Sequence, residues 1–315
     1  MTKRYLALDV GGTNITAGLV DQEGLVLARR AFATLAGRPP KDVINDMAAH
    51  LRAVATESSA GPPPRALAVG LPGWINQERG LLIQAPNVPG WVNVPMADIM
   101  SRMLGLPVCL ENDGNLYALG EWLYGAGQGL NNLLVVTLGT GVGGGLILEK
   151  KLWNGSFASA VEIGHMPIDL KGAICGCGRR GCLETVASAT GLRRLGVEWL
   201  AAGRPTGYLG RPEDLTPIIL YALAQKGDEM ALTIFQKAGQ SLGLVLSGVV
   251  NLLGLEGVVI GGGVAGALEF IRPALWDVLA RRVIIAAPEK IRLLKGLLGE
   301  DAPLAGAAAL LRERF

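Results

Sequence analysis

Residues Glu162 to Glu184 read E-I-G-H-M-P-I-D-L-K-G-A-I-C-G-C-G-R-R-G-C-L-E, and the rest of the chain is organised around them. Three of the four cysteines, Cys175, Cys177 and Cys182, fall here with the spacing C-x-C-x4-C, and His165 lies upstream of them. Glycines at 172, 176, 178 and 181 permit the tight turns that three converging thiolates need. A Cys3His set is a closed tetrahedral shell for Zn²⁺, the form of a structural rather than a catalytic site. Thiolate and imidazole together select zinc over most common ions. The plain alternative is three reduced thiols that cluster without a metal. A disulfide would leave one local thiol unpaired.

Glu162 and Glu184 bracket this loop. A metal-bound His is normally oriented by a partner on its second ring nitrogen, and a ligand hydroxyl would serve at His165. Two carboxylates and an imidazole around one knot suit a polyol. As isolated residues, both Glu would be solvated surface charges.

The 315 residues allow two domains of ordinary size. Net charge is +2 with Lys and Arg scattered, which argues against a nucleic-acid footprint. Met1-Thr-Lys-Arg leads into a strand pattern at Tyr5–Val10, so no signal peptide is expected. Leu242–Leu255 is the most apolar stretch, but Ser247 and Asn251 interrupt it, and it falls short of the ~20 residues that span a bilayer. It reads as a buried helix. No membrane partner is expected, and unpaired cysteines with a zinc knot fit a reducing cytoplasm.

Leu6-Ala-Leu-Asp9-Val10-Gly11-Gly12-Thr13-Asn14 predicts a strand running into a glycine turn, and Ile15–Val20 alternates again as a returning strand. Leu133–Leu138, Gly139–Gly145 and Leu146–Glu149 repeat that unit, so an internal duplication is expected. Gly139-Thr140-Gly141-Val-Gly-Gly144 spells a dinucleotide fingerprint, yet a strand rather than a helix follows it. Glycine hairpins expose backbone N–H groups that can hold phosphate oxygens. A third glycine turn, Gly261-Gly262-Gly263, follows the strand pattern at Val258–Ile260.

Apolar Val43, Ile44, Met47, Leu51 and Val54 predict an amphipathic helix over 41–57 with His50 at its surface margin. Leu106–Leu110 predicts a short strand ending in Glu111-Asn112-Asp113, with a helix over Asn115–Tyr124. Further helices are expected over Pro217–Gln225, Asp228–Leu253, Ala267–Arg281 and Leu304–Arg312. Asp113 stands where α/β proteins place ligands, beyond the C-terminal end of an apolar strand. It suits either a general base for a hydroxyl or a helix N-cap.

Together E-I-G-H…C-G-C-G-R-R-G-C-L-E, D-V-G-G-T-N, E-N-D, L-G-T-G-V-G-G-G and A-G-A-A-A-L resemble the ROK family (repressors, open reading frames and kinases) over nearly the whole chain. The resemblance implies an α/β, two-domain actin-like ATPase (ribonuclease H-like) fold with an interdomain cleft. The expected domains are 1–112 with 300–315, and a larger one over 113–299 carrying the zinc loop. It implies ATP-dependent phosphorylation of a hexose 6-hydroxyl, glucose first, with N-acetylmannosamine or N-acetylglucosamine as alternatives. Asp113 would be the catalytic base, and Asn87, Asn112, Glu162, His165 and Glu184 would contact sugar. Asp9 would hold the hydration shell of Mg²⁺, while Gly11, Gly12, Thr13, Thr140, Gly141 and Gly262 would line ATP. The family also implies a homodimer or homotetramer.

One departure stands out: the family's A-G-E is here Ala160-Val161-Glu162. A β-branched residue in place of glycine predicts a differently placed loop. The alternative from a different class is a sugar-responsive transcriptional repressor lacking its DNA-binding segment: the family's repressors carry a helix-turn-helix before the first glycine hairpin, and with eight residues before Asp9 none is expected here. A non-catalytic ATPase or filament protein of the wider superfamily would need neither the zinc loop nor E-N-D.

Overall fold

Tyr5–Val10 and Ile15–Val20 are apolar enough to be buried on both faces, and the computed structural model pairs these strands around the Gly11-Gly12 turn. The structure describes residues 2–35, 37–57, 61–85, 90–156, 161–284 and 287–315. Strands β1 (Arg4–Val10), β2 (Asn14–Asp21) and β3 (Val26–Ala33) form an antiparallel meander. Helix α1 (Pro40–Glu57) follows and buries all five of its expected apolar positions. Strand β4 (Leu67–Leu71) then pairs with β1 in parallel. Short strands β5 (Trp74–Asn76), β6 (Leu81–Gln84) and β7 (Val92–Val94) make a small antiparallel sheet. Helix α2 (Met96–Leu104) ends on Gly105 in the left-handed region, φ 69°. Strand β8 (Val108–Asn112) pairs in parallel with β4 and runs without a loop into helix α3 (Asp113–Leu123). The first sheet is therefore β3-β2-β1-β4-β8.

The next strands repeat the pattern. Strands β9 (Leu133–Leu138) and β10 (Val142–Leu148) flank the second glycine hairpin, and β11 (Lys151–Leu152) is antiparallel to β10. After the cysteine loop come α4 (Glu184–Ala187), α5 (Ala189–Ala201), α6 (Pro217–Gln225) and α7 (Glu229–Leu253). Strand β12 (Gly257–Gly261), helix α8 (Leu268–Arg282), strand β13 (Arg292–Lys295) and helix α9 (Ala302–Arg314) complete the chain. The second sheet reads β11-β10-β9-β12-β13. Position for position this is the order of the first sheet, as a duplicated unit predicts.

Contacts group the chain into two units: Met1–Val135 with Gly144–Val161 and Leu297–Phe315, and Val136–Gly143 with Glu162–Gly296. The grouping differs from boundaries at 112/113 and 299/300 because α3 packs on α9. A side chain at Gly306 would collide with the Leu116 carbonyl, and one at Gly120 with that of Ala302. In the second unit α7 lies equally close to α8, through Gly239 and Gly243. Leu242–Leu253 belongs to α7, and among the described residues no helix is long and apolar enough to cross a membrane.

The sequence reading overlooked α2, α5 and the small β5–β7 sheet, whose apolar runs are short and broken by proline and glycine. His50 also departs from expectation. Its ring is half-buried and stacks on Phe32 with centroids 4.0 Å apart, so it is not a surface residue.

Candidate active site and metal knot

The three parallel strands β1, β4 and β8 end together, and their register places Asp9, Gly70 and Glu111 in one row. Asp113 follows directly as the first residue of α3. The capping question is settled here: Asn112 is the N-cap, and its Oδ1 accepts the Asn115 N–H at 3.2 Å. Asp113 Oδ1 accepts the adjacent Gly114 N–H at 2.8 Å. Burial raises the Asp9 carboxyl to about 7, and the Asp113 charge nearby adds to the rise. The turn at 11–14 is closed by the Gly11 N–H on the Asn14 carbonyl at 2.9 Å. Gly12 and Thr13 form its half-buried to exposed tip.

In the second unit, glycines shape the cysteine loop. A side chain at Gly181, φ 67°, would overlap the Asp169 carbonyl, so only glycine fits. The Cys175 N–H bonds the Arg179 carbonyl at 2.7 Å and the Gly178 N–H returns to Cys175 at 2.9 Å. Ligand atoms of His165, Cys175, Cys177 and Cys182 all lie within 4.8 Å of one another. Cys177 Sγ and Cys182 Sγ are 3.7 Å apart, and Cys175 Sγ is 3.6 Å from His165 Nδ1. With Zn–S near 2.3 Å and Zn–N near 2.0 Å, tetrahedral edges are about 3.8 Å and about 3.5 Å. The donor set fits zinc. Burial pushes the Cys175 thiol up to about 12, and raises that of Cys182, whereas the hydrogen bond from the Arg179 amide draws Cys177 down. A cation binding here displaces protons.

The second ring nitrogen of His165, Nε2, lies 3.8 Å from Glu162 Oε2. Burial raises the Glu162 carboxyl; His165 opposes that rise and Glu184 adds to it. Glu184 is not a solvated surface charge. Its Oε2 accepts the Val142 N–H at 3.0 Å, and its Oε1 lies 3.4 Å from Cys175 Sγ. The hairpin at Gly139–Gly141 is pinned further by Ala189 N–H on the Gly139 carbonyl and by Thr190 Oγ1 on that of Thr140. Gly262, φ 81°, packs against the Leu138 backbone, where a Cβ would not fit.

The structure thus gathers Thr140, Gly141, Gly262, Glu162, His165, Glu184, Cys175, Cys177 and Cys182 within one unit, and Asp9, Gly11, Gly12, Thr13, Asn112 and Asp113 within the other. Asn87 lies outside the described residues. Val161 adopts φ 69°, the left-handed conformation natural to glycine, and the loop before it, 157–160, lies outside the described residues. Four polar residues escaped the sequence reading, namely Gln77, Glu111, Asn115 and Asn154, which bond to one another beside the row at the end of the first sheet. Two asparagines and two acids within E-N-D-G-N, where β8 runs into α3, were the available signal.

A model of the ROK family matches residues 5–314 of the chain. The chain belongs to the ROK family. A glucokinase of Thermotoga maritima is 34% identical over 315 residues, covering 99% of this chain and 98% of that protein. An N-acetylmannosamine kinase of Yersinia pseudotuberculosis is 32% identical over 310 residues, covering 98% of each. The crystal structure of a ROK family glucokinase from Streptomyces griseus in complex with glucose and AMPPNP superposes with a TM-score of 0.84 at 31% identity, over 99% of this chain and 100% of that one. The fold is accordingly that of the actin-like ATPase sugar kinases.

Proposed function

We propose that this protein transfers the γ-phosphoryl group of ATP to the 6-hydroxyl of glucose. The observation that carries the reading is the position of Asp113: a carboxylate directly beyond the end of β8, at a helix start whose N-cap is Asn112. Full-length similarity to glucokinases supports the same substrate. Asp113 takes the proton of the 6-hydroxyl as that oxygen attacks the γ-phosphorus in line. The new O–P bond forms while the bond to the β-phosphate bridging oxygen breaks, releasing ADP. The protein's contribution is positioning and charge neutralisation, as in other phosphoryl transfers.

In this reading Asn87, Asn112, Glu162, His165 and Glu184 grip the sugar. Backbone N–H groups around Gly11, Gly12, Thr13, Thr140, Gly141 and Gly262 line ATP. Mg²⁺, when bound with ATP, neutralises charge on the phosphates, and Asp9 holds its water shell. His165, Cys175, Cys177 and Cys182 hold a structural Zn²⁺ that orders the sugar loop. Reduced thiols fit a cytoplasmic setting, and assembly as a homodimer or homotetramer belongs to the same reading.

Similarity to an N-acetylmannosamine kinase favours a second substrate. An N-acetyl group at the 2-position needs room that β-branched Val161 takes up beside Glu162. Loss of a required hydroxyl partner can cost roughly 10⁴-fold, more than crowding does. Glucose is therefore expected to show a higher kcat/KM than N-acetylmannosamine, N-acetylglucosamine or fructose in a coupled ADP-release assay. An N-acetylated sugar ranking first would move the substrate to the second reading; ADP release indifferent to sugar would end both.

A further inference from the structure

Glu111 is a carboxylate only 1% exposed, and among the described residues no cation pairs with it. Such a group is costly to bury unless hydrogen bonds replace its water. Three do. Oε1 accepts the Asn112 N–H at 2.9 Å and Asn115 Nδ2 at 3.0 Å, and Oε2 accepts Gln77 Nε2 at 2.7 Å. Asn115, itself 3% exposed, also reaches Asn154 Oδ1 at 3.0 Å. One carboxylate therefore ties the β5–β6 turn to the first turn of α3, and through Asn115 to the segment after β11.

The two groups held by Oε1 flank Asp113 in the chain. Asn112 is the residue before it, and Asn115 is where the cap of Asn112 lands. Across the sheet Glu111 pairs with Gly70, whose missing side chain leaves room for the Leu116 methyl; a Cβ there would lie 2.9 Å from Leu116 Cδ1. Side chain and packing thus fix both the axial position and the rotation of the α3 N-terminus. We infer that Glu111 is a positioning residue for phosphoryl transfer, setting Asn112 and Asp113 against the sugar without touching it. This rests on the kinase reading above. Misplacing a reacting group by about 1 Å can cost on the order of 10²-fold in rate.

The test compares wild type with Glu111→Ala, Glu111→Gln and Asn115→Ala in steady-state glucose phosphorylation, with circular dichroism reporting the folded fraction. Glu111→Ala removes both acceptors and should lower kcat per folded molecule by roughly 30-fold or more, with KM for ATP within about 3-fold. Glu111→Gln keeps the Oε1 acceptor for both α3 donors, and the Gln77 amide can rotate to offer its oxygen. It should therefore restore kcat to within about 3-fold of wild type. If the alanine variant does not fold, Asn115→Ala serves instead, with a kcat loss of about 10-fold expected. A folded Glu111→Ala protein with wild-type kcat overturns the inference, as does an undiminished Asn115→Ala. Wild type that phosphorylates no hexose overturns the kinase reading along with it, a result visible before any variant is made.

Discussion

Glu184 Oε2 accepts the Val142 N–H at 3.0 Å while Oε1 of the same carboxylate lies 3.4 Å from Cys175 Sγ. One side chain thus connects the cysteine knot to the glycine hairpin that begins at Gly139. Order in the knot and order in the hairpin are coupled within that unit.

The first prediction follows from this link. Protein purified without added metal should carry about one zinc per chain by elemental analysis, since structural zinc sites are bound tightly. Chelation, or Cys177→Ser, should raise KM for ATP as well as for glucose. A zinc-free preparation with unimpaired kinetics for both substrates contradicts the link and the metal assignment together.

Asp113→Asn keeps the size of the side chain and removes its basicity. Because Asn112 is the cap, the melting temperature should stay within about 2 °C, well below the shift that loss of a cap would produce. kcat should fall by at least ~10²-fold, with little change in sugar affinity. Activity surviving within a few-fold would mean that another group accepts the proton.

Asp9 gives a pH signature in the ligand-free protein. Its carboxyl titrates near 7 when folded, against 3.8 ordinarily. The folded state therefore holds that proton more tightly than the unfolded chain does. Its stabilising contribution is complete below about pH 4 and is lost as pH rises through 7. Asp9→Asn cannot ionise, so its melting temperature relative to wild type should climb between pH 5 and pH 8, by roughly 3–6 °C after allowance for partial exposure. Parallel melting curves across that range would dismiss the raised value.

Val161 holds a left-handed backbone at φ 69° without being glycine. Strain of that kind costs on the order of 1–3 kcal/mol, and glycine adds back some unfolded-state entropy. Val161→Gly should net about 1 kcal/mol of stability, read as a 2–4 °C rise on thermal melting. It should also narrow the preference for glucose over N-acetylmannosamine. A drop in melting temperature would show that the valine is unstrained.

Much of the first sheet and of the metal knot could be read from residues alone, for physical reasons. The strand positions Tyr5–Val10 and Ile15–Val20 and the 3.6-residue spacing in α1 survive into the structure, but the period-two alternation of the strands does not, because both are buried on both faces. The cysteine spacing constrains its own geometry, because three thiols so close in the chain can converge only through tight turns, which the intervening glycines permit. Helix α2 and strands β5–β7 were hidden because runs of three to nine residues carry too little periodicity. Glu111 was hidden differently. Its importance comes from Gln77 and Asn115, and only folding brings the first of these to it. The cap assignment turned on one residue, Asn112 against Asp113, which spacing does not resolve. Val161 could be named from sequence, but its backbone angle could not.

Helix α9 has a consequence for biosynthesis. Its buried face, from Ala302 to Leu311, packs on α3 and on the first sheet, with Leu304 set against Gly18 of β2. β1 emerges from the ribosome before α9, so the sheet built on β1 waits for α9 before its surface is covered. Domains usually fold in order of emergence, but here the second unit has all its segments while the first still lacks one. Ribosome-stalled chains ending before Ala302 should therefore protect the cysteine-bearing unit from protease while the N-terminal strands remain open to cleavage, and release of the last turn of α9 should close them.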